Sequence, residues 1–129
     1  MNIGIVVSQT HRLITEPLLE GAKRVFPKES LSIYWVPGCF EIPYLCSKVI
    51  DKHDALITLG LILQGETEHH IYLAHCIFQS LQNIQIEAKK PIGLGVLTCH
   101  TLEQAFQRAG GKSGNKGEEA ARAIRDLIC

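Results

Sequence analysis

The chain has 129 residues, 46% of them hydrophobic, and its 13 Lys plus Arg are balanced by 13 Asp plus Glu. That length suits a single domain, residues 1–129, with one core. A net charge of zero supplies no basic footprint, which argues against nucleic acid or an acidic membrane surface as a partner.

The first predicted strand is "IGIVVS" (3–8), and a helix follows with Thr15 as its cap, Glu16 and Pro17 in the opening turn, and Leu18, Ala22, Val25 and Phe26 on one face. "LSIYWV" (31–36) reads as a second strand and Phe40 to Ile50 as a second helix. "ALITLG" (55–60) is the third strand. From Thr67 to Lys89, apolar positions Ala74, Ile77, Phe78, Leu81, Ile84 and Ala88 recur at spacings of three and four, joined by Gln85, and Pro91 stops the helix. "PIGLGVLT" (91–98) is the fourth strand, a short helix spans Thr101 to Arg108, and Glu118 to Ile128 closes the chain with Glu118 and Arg122 one turn apart. Strands this continuously apolar belong in a sheet covered on both faces. The expected fold is α/β: a four-stranded parallel sheet with right-handed crossovers, sandwiched between helices in three layers. No run approaches the ~20 apolar residues of a membrane span, and the opening "MNIGIVVSQ" has no charged n-region. Cys39, Cys46, Cys76, Cys99 and Cys129 form no CxxC pair, which fits free thiols in a reducing cytoplasm.

In such sheets ligands bind outside the carboxyl ends of the strands. Three loops leave those ends: "SQTHRLI", "PGCFEIP" and "QGETEHH". Gly65-Glu66-Thr67 opens a helix, where outward amides and the helix dipole favour an anion; a tight turn with Thr67 as a plain cap is the other reading. Neither GxxxxGK[ST] nor GxGxxG is present. His69, in the first helical turn, can exchange protons near neutral pH, whereas His70 reads as a surface residue. His69, His70, His75 and Cys76 do not share a helical face, so no zinc site is expected. "VPGCFEIP" brackets Gly38 and Glu41 with prolines, which stiffens a βα turn and suits either capping or a polyol or heterocycle ligand. "RAGGKSGNKG" combines Arg108, a bidentate phosphate donor, with glycines that admit a ligand to the backbone; a solvated loop is the alternative.

Taken together, "VPGCFEIP", "GLILQGETEHHIY", "GVLTCHTLEQAFQRAG" and "GNKG" resemble the 6,7-dimethyl-8-ribityllumazine synthase family over nearly the whole chain. The resemblance implies a flavodoxin-like fold assembled as homopentamers, or as sixty-subunit icosahedral shells, with no metal or organic cofactor and riboflavin synthase as a candidate partner. It implies condensation of 5-amino-6-ribitylamino-2,4-pyrimidinedione with 3,4-dihydroxy-2-butanone 4-phosphate in the penultimate step of riboflavin biosynthesis. On that pattern Cys39, Phe40 and Glu41 hold the ribityl chain, and Gly65, Glu66 and Thr67 bind phosphate with Arg108 of a neighbouring subunit. His69 moves protons, Lys116 lies near the phosphate and pyrimidine, and Leu94 and Gly95 close the pocket from across the interface.

Two departures stand out. Thr10 occupies the position where the family usually places an aromatic ring, so weaker pyrimidine binding is expected unless His11 swings in as a substitute, and the N-terminal arm that in many members adds a strand to a neighbour's sheet is expected to be absent. A non-catalytic relative that binds a ribityl compound and a generic flavodoxin-like phosphate-binding module are the rival readings.

Overall fold

The computed structural model describes residues 1–65 and 67–129. Among these, β1 (Asn2–Ser8), β2 (Ser30–Val36), β3 (Ala55–Leu63) and β4 (Ile92–Cys99) form one sheet in the order β2-β1-β3-β4, all parallel. Because side chains alternate across a strand, β1 feeds two cores. Ile3, Ile5 and Val7, with Ile57 and Leu59, face α1 (Arg12–Val25) and α5 (Lys116–Ile128). Val6, Leu56 and Ile62 face α2 (Ile42–Val49) and α3 (His69–Ala88). Each such aliphatic side chain contributes roughly 1.5–3 kcal/mol when withdrawn from water. The chain steps from β1 out to β2, then returns to the other side of β1, so a crevice opens where the carboxyl ends of β1 and β3 diverge.

The first helix begins a turn earlier than Thr15. His11 caps it in the left-handed region (φ 62°), and its carbonyl accepts from Ile14 N at 2.9 Å and Thr15 N at 3.0 Å. The Arg12–Glu16 ion pair, 2.9 Å, staples this opening turn. Thr15 is therefore inside the helix, buried, with no hydrogen-bond partner for Oγ1 among the described residues. Pro17 stands in the helix interior, one turn beyond the position where a missing N–H costs nothing. β3 also runs three residues past the expected end, to Leu63, and Gln64 N–H still donates to Cys99 O of β4 at 3.0 Å. The Glu118–Arg122 pair forms as the spacing implies, at 3.1 Å.

After α4 (Leu102–Arg108) the glycine-rich segment is a small antiparallel hairpin, β5 (Ala109–Gly111) and β6 (Gly114–Asn115), rather than a loose loop. Gly110 (φ 109°) and Gly114 (φ 86°) take backbone conformations that favour glycine. The "GNKG" motif then locks α5 onto α1. Asn115 Oδ1 accepts from Glu118 N at 3.0 Å as the helix cap, while Asn115 Nδ2 donates to Pro17 O at 3.1 Å. A Cβ at Gly117 would collide with the Leu18 carbonyl, so glycine there sets the close crossing of the two helices.

At the opposite, amino end of the sheet, buried His53 links three segments. Its Nδ1–H donates to Asn2 Oδ1 and its Nε2 accepts from the Tyr34 hydroxyl, each at 2.7 Å. Asn2 Nδ2 donates to Lys52 O, which turns Oδ1 toward the ring and selects this tautomer.

Candidate active site

At the carboxyl end of the sheet, the loops after β1, β2 and β3 enclose a cleft of about 420 Å3. Thr10, Cys39, Phe40, Glu41, Gly65, Thr67 and His69 all line it, together with Gly38, the β3 residues Leu61 to Leu63, and His70 and Leu73 of α3. The turn 39–41 is 3₁₀, closed by Glu41 N–H donating to Gly38 O at 3.2 Å. Cys39 points inward: its Sγ lies 3.6 Å from Leu61 O, and burial pushes its thiol pKa up. A Cβ at Gly60 would meet that sulfur at 2.6 Å, so a glycine in β3 makes room for it. With Cys39 anchored, Phe40 and Glu41 are presented outward, Phe40 at 65% exposure.

The position of Gly38 reveals two neighbours. A Cβ there would lie 3.3 Å from Glu41 Oε1 and 3.5 Å from Thr10 Oγ1, so the carboxylate and the hydroxyl converge on one wall. Thr10 Oγ1 donates to Pro37 O at 2.8 Å, tying the β1 loop to the β2 loop. His11 is exposed, caps α1 in the left-handed region, and is not among the residues that line the cleft.

Across the cleft, a Cβ on Gly65 would meet nothing within 4 Å, so open space fronts this backbone. Residue Glu66 lies outside the described residues. Thr67 Oγ1 accepts from His69 N at 3.2 Å, so Thr67 steadies the entry to α3 from one residue before its cap, Glu68. His69 is exposed at the cleft mouth. His70, expected to be an ordinary surface residue, is half-buried in the same wall, with Nδ1 3.3 Å from Thr67 O. Among the described residues no Lys or Arg lines this cleft, and no three His, Cys, Asp or Glu side chains converge as metal ligands would.

The cations are elsewhere. Leu94, Arg108 and Lys116 line a separate cleft of about 490 Å3 against the outer edge of β4, together with Phe78, Ser113 and Glu119. Among the described residues its lining shares none with the first cleft. Between them a groove of about 600 Å3 runs along α3, touching the first cleft at His70 and the second at Phe78 and Thr98. Gly95, expected beside Leu94 in a pocket wall, is buried beneath α5. A Cβ there would come within 2.6 Å of Leu59 Cδ2 and 3.5 Å of the Ala120 Cβ, so its smallness serves helix–sheet packing.

Asn115 went unremarked in the sequence although it caps α5, the helix that begins at Lys116. The signal was present: Asn followed three residues later by Glu is a helix-start signature. The apolar floor, Leu61 to Leu63 and Leu73, carried no chemical signature and emerges only from packing.

The 6,7-dimethyl-8-ribityllumazine synthase family model matches residues 1–129. The 6,7-dimethyl-8-ribityllumazine synthase of Pediococcus pentosaceus is 40% identical over 135 residues, spanning 99% of this chain and 86% of the relative. A de novo designed Rossmann-fold protein, 13% identical, aligns over 98% of this chain and 97% of its own with a TM-score of 0.46.

Proposed function

This chain belongs to the 6,7-dimethyl-8-ribityllumazine synthase family, and from that premise we propose that two neighbouring subunits jointly build each of its active sites. The reaction is a transferase step of riboflavin biosynthesis. It condenses 5-amino-6-ribitylamino-2,4-pyrimidinedione with 3,4-dihydroxy-2-butanone 4-phosphate, releasing phosphate and water. The observation that carries the shared site is the division of labour between the clefts. The cleft with Glu41 and His69 lacks a cation among its described lining residues, and the cleft with Arg108 and Lys116 shares none of that lining.

Within the first cleft, the backbone of Cys39, Phe40 and Glu41 holds the ribityl chain, and the Glu41 carboxylate accepts from its hydroxyls. The open backbone at Gly65 and Thr67, at the start of the 20-residue helix α3, receives the phosphate. Arg108 and Lys116 of the adjoining subunit neutralise that phosphate as it departs. The pyrimidine's amine is already a nucleophile, so the protein chiefly positions two substrates, an effect of roughly 7–11 kcal/mol. His69 exchanges protons as the imine forms and the phosphate leaves, a contribution of about 10²–10⁴-fold.

The assembly that brings the clefts together is a homopentamer, alone or as part of a sixty-subunit shell, with riboflavin synthase as a candidate partner. Its support is the outer face of α3. Ile71, Tyr72, His75, Cys76, Gln79, Gln82, Asn83 and Ile86 are exposed, and no Lys, Arg, Asp or Glu appears in the helix before Glu87. A solvated helix of this length normally carries charge on that face. Five free thiols fit a reducing cytoplasm, and no helix among the described residues is long and apolar enough to cross a membrane.

The test supplies purified protein with both substrates and follows lumazine fluorescence, phosphate release and sedimentation together. Turnover should track the assembled fraction as mild urea dissociates it. Monomers with undiminished specific activity would contradict a shared site.

A further inference from the structure

A pyrimidinedione is a flat, polarised ring, and a cleft that selects it gains from a π face as well as hydrogen bonds. The β1 side of the cleft offers none. Thr10 has its hydroxyl committed to Pro37 O at 2.8 Å, and its own N–H donates to Ser8 Oγ at 3.2 Å. His11, the cap of α1, is not among the residues that line the cleft. Among the described lining residues Phe40 is the only carbocyclic aromatic, and it stands 65% exposed. It is also held rigidly. Its turn is closed by Glu41 N–H on Gly38 O, 3.2 Å, and anchored beneath by Cys39 against Leu61 O, 3.6 Å. An aromatic ring displayed on a rigid turn loses little conformational freedom when a ligand covers it.

Resting on the reaction assigned above, we propose that Phe40 recognises the pyrimidinedione ring, its phenyl face stacking on the heterocycle while the adjacent backbone and Glu41 hold the ribityl chain. Selection of the ring thus falls to the β2 loop, and Thr10 acts by fixing that loop in place through Pro37.

Two variants test this. Phe40→Leu keeps apolar bulk and removes the π face. It should raise KM for the pyrimidine substrate about two- to tenfold, while KM for the butanone phosphate and the size of the assembly stay unchanged. Phe40→Trp restores a π face and should bind the pyrimidine more tightly than Phe40→Leu does. Its added indole emission should be quenched when a ribitylated pyrimidinedione analogue binds, and should not respond to inorganic phosphate. An unchanged pyrimidine KM in Phe40→Leu, an equal rise for both substrates, or a change in assembly without loss of pyrimidine affinity would each overturn the proposal. So would an unquenched indole, which decides the matter even if the leucine variant assembles poorly. Failure of the assigned reaction itself would look different: wild-type protein would make no lumazine.

Discussion

Replacing Asn115 by Ala removes two interactions at once. The carboxamide caps α5 by accepting from Glu118 N at 3.0 Å and bridges to α1 by donating to Pro17 O at 3.1 Å, and the residue is only 6% exposed. Loss of an Asn cap costs about 1 kcal/mol, and a buried hydrogen bond contributes about 0.5–1.5 kcal/mol. Asn115→Ala should therefore cost about 1.5–2.5 kcal/mol, a urea midpoint shift of about 1 M for a slope near 2 kcal/mol/M. Asn115→Ser keeps an acceptor for Glu118 N and loses the bridge, so it should cost about 1 kcal/mol less than Ala. Equilibrium urea unfolding at one fixed protein concentration reads both, because dissociation and unfolding are linked in an oligomer. Lys116 follows directly in the chain, so residual folded Asn115→Ala should also turn over more slowly. A cost for Ala under about 0.5 kcal/mol, or Ser as damaging as Ala, would refute the assignment of the motif as a clamp between α1 and α5.

Removing the His69 imidazole as His69→Ala should lower turnover about 10²-fold or more while the assembly sediments as wild type, with His70→Ala clearly milder; the reverse ranking would move the proton-transfer role to His70. Gly95→Ala should lower stability by about 1–3 kcal/mol through overpacking against Leu59, yet leave KM for both substrates unchanged in the folded fraction. His53 should make stability depend on pH. Burial first, then the charges of Lys52 and Lys90, hold its pKa below the ordinary 6.5, against the opposing pull of Asp54. The unfolded chain therefore takes up the proton first as pH falls, so the ring's contribution is complete above 6.5 and is lost between 6.5 and its lower folded value. Urea midpoints of wild type and His53→Gln should differ more at neutral pH than in mild acid, and a difference that grows on acidification would exclude this sign.

The sheet was legible because its signal is strong: near-continuous Val and Ile runs separated by helical periods leave little choice but covered parallel strands. The start of α1 was not. Thr15-Glu16-Pro17 has the composition of a helix entry, but the cap is a left-handed histidine stabilised by backbone bonds and an ion pair, which no propensity rule anticipates. The "AGGKSGNKG" segment read as a loop because two- and three-residue strands are shorter than any periodicity can register. Of the candidate site, the local motifs singled out residues able to carry chemistry, and the loops after β1, β2 and β3 bring Thr10, Cys39, Phe40, Glu41, Gly65, Thr67 and His69 to one cleft, where the strand-end rule looks for a ligand. That Arg108 and Lys116 fall in a cleft of their own is a matter of tertiary placement. Nothing in the spacing distinguishes a cation that crosses its own molecule from one that serves a neighbour. Gly95 shows the converse, a residue that only the family resemblance placed at the pocket and whose immediate neighbours are Leu59 and Ala120.

Subunit mixing tests the shared site most directly. Chains carrying Glu41→Ala and His69→Ala lack the first cleft's chemistry and keep Arg108 and Lys116; chains carrying Arg108→Ala keep the first cleft and lack a cation. Each homo-oligomer should be nearly inactive. Oligomers reassembled from an equal mixture should recover a substantial fraction of wild-type lumazine formation, because some interfaces then pair an intact first cleft with an intact second. Mixed oligomers, verified by mass, that remain as inactive as their parents would show that each chain completes its own site.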